Sequence, residues 1–98
     1  MSAAQLKKVA DDRLALSGKL SMESVPGLLR QMRWPTTSGG LTLDLQAVER
    51  ADSAGVALLV EWQREARRRQ QVLHFQHIPS QMLAIARLSG VDELLALT

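Results

Sequence analysis

The chain contains no cysteine and no tyrosine, three prolines, and only three aromatic rings, those of Trp34, Trp62 and Phe75. Without thiols there can be no disulfide, no thiolate metal site and no cysteine nucleophile, which is consistent with a reducing compartment. So few rings mean that a core must be filled by Leu, Val, Ile, Met and Ala. No segment approaches the roughly 18 consecutive apolar residues of a membrane span, and no signal-peptide pattern opens the chain, so a soluble cytoplasmic protein is expected. Excess charge is scarce too. Twelve Lys and Arg against ten Asp and Glu leave a net +2, too little to imply nucleic acid by itself.

What is present is a chain of 98 residues, 46% hydrophobic, enough for one core but not for two. A single domain over residues 1–98 is expected. Residues 4–10 and 13–20 alternate in polarity on either side of Asp11 and Asp12, which predicts a β-hairpin with Leu14 and Leu16 on one face. Ser21 or Ser24 then stands where it can cap a helix that admits Pro26 in its first turn and carries Val25, Leu28, Leu29 and Met32 as one apolar stripe. That helix should stop near Trp34 and Pro35, because proline disfavours helical geometry in the residue before it, and residues 36–40 form a loop.

The chain is organised around residues 41–60, LTLDLQAVERADSAGVALLV. Leu41, Leu43 and Leu45 alternate with Thr42 and Asp44 as in a strand, residues 46–51 read as a polar turn, and a helix follows from Ser53 to about Gln70. Val56, Leu59, Val60 and Ala66 form its expected core stripe. Leu58 and Trp62 exceed what one buried face requires, and are expected either under a neighbouring helix or against a partner. Residues 72–78 (VLHFQHI) read as a strand covered on both faces. Pro79 and Ser80 open a helix bearing Met82, Ile85 and Ala86, Gly90 ends it, and Val91, Leu94 and Leu95 form a last short helix behind Asp92 and Glu93. The order β-β-α-β-α-β-α-α predicts one mixed sheet, parallel in its later strands, with helices packed on it.

Chemistry-bearing residues are few. Asp52 or Ser53 can cap the long helix, and Gly55 permits close backbone approach. Sites in open sheets of this kind lie beyond the carboxyl ends of parallel strands, which puts Ser53 at a contact surface. A helix cap, worth about 1 kcal/mol, would account for Ser53 without any function. Asp44 is expected to bond backbone near the turn, because a buried carboxylate without partners is costly. His74 and His77 fall on opposite strand faces with no further ligand, so no metal is expected. Nothing resembles a nucleophile elbow or a paired-carboxylate site, and no enzyme is expected. Gly39 and Gly40 lack the lysine of a phosphate loop. Arg64, Arg67, Arg68 and Arg69 crowd a helix C-terminus, where they complement the dipole, with anionic lipid contact as a weaker reading.

Residues 43–56, LDLQAVERADSAGV, resemble the signature of the STAS domain family. Residues 12–20, DRLALSGKL, together with Ala57, Leu58 and Leu59, extend the likeness over nearly the whole chain and toward the MlaB branch, the small subunits of phospholipid-transporting ABC complexes. The resemblance implies an α/β, SpoIIAA-like fold: a single mixed four-stranded sheet with about four helices, no catalysis and no cofactor. It implies docking on the cytoplasmic, MlaF-like ATPase of a complex that maintains outer-membrane lipid asymmetry, peripheral to the inner membrane and without nucleic acid. The docking surface would be Arg50, Asp52, Ser53, Ala54, Gly55 and Val56, joined by the surplus Leu58 and Trp62. The alternative role it implies is that of an anti-sigma factor antagonist whose Ser53 is phosphorylated by a partner kinase, adding a charge of about −2.

Overall fold

The structure, a computed structural model, describes residues 4–35 and 39–95. Four strands, β1 (Gln5–Ala10), β2 (Arg13–Leu20), β3 (Leu41–Ala51) and β4 (Leu73–Gln76), form one sheet in the order β1-β2-β3-β4. Three helices, α1 (Val25–Gln31), α2 (Ser53–Arg68) and α3 (Ser80–Leu88), connect or follow them. The hairpin turns at Asp11 and Asp12 as its alternation predicts, and β1 runs antiparallel to β2. β3 lies parallel to both β2 and β4. This is the mixed sheet, parallel in its later strands, that the element order implies.

Burial alternates along the central strands, so one sheet face holds the core. Leu14, Leu16 and Leu20 of β2, Leu41, Leu43 and Leu45 of β3, and Leu73 of β4 are buried together. The opposite face carries Arg13, Thr42 and Asp44, all half-buried, and the exposed His74 and Gln76. β4 is therefore not covered on both sides as its composition suggests. It is an edge strand only four residues long, and apolar Val72, just before it, is exposed.

Three further expectations are corrected. Residues 46–51 are not a turn: β3 continues through them for eleven residues to Ala51. The pairing with β2 shifts register between Ala15 and Ser17 and again between Gly18 and Lys19. Such bulges break the two-residue alternation that marks a strand while leaving the backbone ladder in place. The first helix is not capped by a serine side chain. Ser24 is already in helical geometry, and its Oγ instead accepts from the Ser21 N–H at 2.9 Å and donates to the Lys19 carbonyl at 2.9 Å. Residues 91–95 form a turn with one helical bond, Leu95 N–H to the Val91 carbonyl at 3.1 Å, rather than a fourth helix. Residues 36–38 of the predicted loop lie outside the described residues.

Both long helices end with the same reciprocal pair of bonds. After α3, Gly90 (φ +73°) sits at the expected C′ position while Val91 N–H reaches the Ala86 carbonyl and Gly90 N–H that of Arg87. After α2 the same pattern places Gln70 at φ +57°, with Gln71 N–H on the Ala66 carbonyl and Gln70 N–H on that of Arg67. Glycine is the usual occupant of this left-handed position, which is why the α2 ending is harder to read from sequence.

Candidate functional site

The carboxyl end of β3 is locked to β2 before α2 begins. Leu20 pairs with the buried Ala51, and the Asp52 N–H continues the ladder to the Leu20 carbonyl at 3.2 Å. Asp52 then turns the chain, and its Oδ1 accepts from the Ala54 N–H at 2.8 Å, so Asp52 is the helix cap. Gly55 follows where the helix start lies tight against the ends of β2 and β3. A Cβ on it would lie 2.9 Å from the Leu20 Cβ and 3.1 Å from the Ala51 Cβ.

Ser53, one residue past the cap, is exposed, and its hydroxyl makes no hydrogen bond among the described residues. A capping role is thereby taken from Ser53 and given to Asp52. The free hydroxyl stands at the positive end of a helix about 24 Å long. Its surroundings carry mixed charge. Exposed Lys19 and Arg50 are direct cross-strand neighbours. Glu23 is held below the usual carboxylate range by a hydrogen bond from Ser21, with the nearby Asp52 charge opposing.

Of the residues expected to meet a partner, Arg50, Asp52 and Ser53 are exposed and Ala54 is half-buried. The other four are buried, although Val56 still borders a groove beside α2. Gly55 and Val56 are buried, Leu58 is 1% exposed and Trp62 2%. The surplus apolar residues are thus shielded by the chain itself, because α2 packs on the sheet while α1 and α3 flank it. The outward stripe of α2 is instead Ser53, Ala57, Glu61 and Arg64, with half-buried Val60 beside it. With Val56, Ser89 and Val91 these residues line an open groove of about 310 Å³ between α2 and the turn after α3. The i, i+4, i+8, i+11 spacing from Ser53 carries this stripe in the sequence; Ser89 and Val91 have no such signal.

The remaining candidates are structural. Asp44 accepts the Gln46 N–H at 2.9 Å, as expected, and also meets Arg13 Nη2 at 3.0 Å and His77 Nδ1 at 2.9 Å. Its carboxyl is held below the usual range first by the Gln46 N–H, then by His77 and Arg13, against desolvation. His77 lies past the end of β4 at φ +56°, so the two histidines are not a simple opposite-face pair within a strand. Among the described residues no His, Asp and Glu group has metal-site geometry, and no helix is long and apolar enough to cross a membrane. The arginines are engaged locally: Arg68 and Arg69 reach Glu65 at 2.6 and 2.7 Å, and Arg64 reaches Glu61 at 3.4 Å. Arg69 also stacks 5.4 Å from the Trp34 ring centre.

The profile of the family described as "Mlab, STAS domain" matches residues 3–96. The chain belongs to the STAS domain family. Within it, the match is to the MlaB type. No curated protein matches the chain. Among solved structures, the anti-sigma factor antagonist SpoIIAA in its unphosphorylated form is similar, with a TM-score of 0.65 over 93% of this chain and 84% of that one. Identity over the aligned part is 16%, so that likeness speaks for the fold: the STAS domain here has the SpoIIAA-like α/β architecture.

Proposed function

We propose that this STAS domain is a non-catalytic cytoplasmic subunit that docks on the ATPase of a phospholipid-transporting ABC complex, and so lies peripheral to the inner membrane. The MlaB-type family match supports the setting. The observation that carries the docking is the exposed Ser53 hydroxyl, unbonded among the described residues, which opens directly into the α2 groove. A hydroxyl at a helix start, followed by half-buried Val60 and the charged rim of Glu61 and Arg64, offers a partner an apolar seat with polar edges. The domain then stabilises or tunes the ATPase through contact and hydrolyses nothing itself.

Co-purification with the candidate ATPase tests this. Wild type is retained, while Ser53→Arg and Ser53→Glu are lost although circular dichroism shows both folded. Retention of both variants at wild-type affinity overturns the docking surface.

The same free hydroxyl favours one other reading, a phosphorylation switch of the antagonist kind, since phosphate on an exposed helix start is electrostatically tolerated. Intact mass after incubation with a candidate anti-sigma kinase and ATP separates the two. A gain of one phosphate, lost in Ser53→Ala, selects the switch. Transporter genes or kinase and sigma factor genes beside the coding sequence provide an independent discriminator.

A further inference from the structure

At the other end of β3 from Ser53, the amino ends of β2 and β3 meet the segment that leaves α1 around a cavity of about 640 Å³. Its floor is apolar. Leu14 and Leu41 belong to the buried core, and Leu6 of β1 and the Trp34 ring are half-buried beside them. Its rim is basic, with Lys8 and Arg33 against the single carboxylate of Asp11. Volumes of roughly 300–1,000 Å³, with apolar walls and a few polar groups at one side, are those of small-molecule sites.

The rim cations have capacity to spare. Lys8 Nζ meets Asp11 at 3.2 Å, but the two side chains are 68% and 102% exposed, and an ion pair so open contributes little and yields readily to another anion. Arg33 donates through Nη1 alone, to the Arg30 and Met32 carbonyls at 2.9 and 3.1 Å. Its Nε and Nη2 make no hydrogen bond among the described residues, and a guanidinium binds carboxylates best with two such parallel donors. The Arg69 guanidinium lies over the Trp34 ring, 5.4 Å from its centre. Apolar floor and basic rim together select a ligand with an alkyl body and one anionic head. An inorganic anion gains nothing from the floor, and a neutral alkane or alcohol gains nothing from the rim.

We infer that this cavity binds an amphiphilic monoanion of the alkyl carboxylate class, with its chain against Leu6, Leu14, Leu41 and Trp34 and its carboxylate between Lys8 and Arg33. The site is separate from the Ser53 groove and stands whether or not that groove docks an ATPase.

The test uses the full chain and decanoate below its micelle concentration, followed by methyl NMR and calorimetry. Saturable shifts are expected at the Leu6, Leu14 and Leu41 methyl groups. Binding should weaken at least tenfold for decan-1-ol, and at least tenfold for decanoate with the double variant Lys8→Gln/Arg33→Gln. Both rim side chains are exposed, so the double variant is expected to keep its fold by circular dichroism. Acetate should leave the methyl groups unmoved. The proposal is overturned by the absence of saturable shifts at these leucines, by shifts centred on the Ser53 groove instead, or by equal affinity in the double variant. Sedimentation with phosphatidylglycerol vesicles distinguishes a membrane surface as the source of the anion. Vesicle capture that requires Lys8 and Arg33, with no response to decanoate, overturns the soluble-ligand assignment.

Discussion

At the residue scale, the junction between β3 and α2 depends on Asp52, Ser53 and Gly55 doing different jobs. Gly55→Ala should raise helix propensity by about 1 kcal/mol in an open helix, yet here the new Cβ meets the Leu20 and Ala51 Cβ atoms at 2.9 and 3.1 Å. Overpacking of that kind outweighs propensity, so urea denaturation should show the variant less stable by about 1 kcal/mol or more. Asp52→Ala removes the cap on Ala54 N–H and should lose about 1 kcal/mol. Ser53→Ala, with no hydrogen bond to lose, should stay within about 0.5 kcal/mol of wild type. If the serine variant lost as much as the aspartate one, Ser53 would be a cap and its hydroxyl would not be free for a partner. Asp44 makes a pH prediction. Its carboxyl is depressed in the fold by Gln46 N–H, His77 and Arg13, so its contribution is fully present above the unfolded value near pH 4 and is lost as pH falls through the folded value. Asp44→Asn should therefore be less stable than wild type at pH 7, and the difference should shrink as denaturation midpoints are followed from about pH 5 toward pH 2.

At the scale of the element, α2 has two buried rows rather than one. Val56, Leu59 and Ala66 are buried, as their spacing predicts, Val60 of the same expected stripe is only half-buried, and Leu58 and Trp62 are covered too because helices flank α2. Amphipathic periodicity marks which residues prefer burial but not how wide the buried arc is, since that width depends on what packs alongside. Trp62→Ala should accordingly lose about 3–5 kcal/mol of stability, a change in denaturation midpoint rather than a selective loss of docking. Ala57→Asp, on the exposed outward stripe that lines the groove, should do the opposite: a small change in melting temperature and loss of ATPase co-purification.

For the whole molecule, one sheet face carries the core and the other remains polar around Asp44. The Ser53 groove lies near the carboxyl end of β3 and the basic-rimmed cavity at its amino end. A partner that binds only the folded domain stabilises it by mass action, about 2.7 kcal/mol at a hundredfold excess over Kd. Saturating ATPase should therefore raise the unfolding temperature of the wild-type domain and leave that of Ser53→Arg unchanged.

The amino-acid sequence alone determined the hairpin, the succession of strands and helices up to α3, the parallel pairing of the later strands, the Gly90 helix ending and the STAS signature, because each rests on local periodicity, turn chemistry or a contiguous motif. Only the tertiary structure decided that residues 46–51 stay in the sheet, that Asp52 and not Ser53 is the cap, and that Leu58 and Trp62 are core. The groove from Ser53 to Val91 and the cavity between Lys8 and Arg33 likewise join segments distant in the chain. Bulged pairing, side-chain bond direction and burial by a neighbouring helix are all set by partners far away in sequence, and periodicity within one segment carries no record of them.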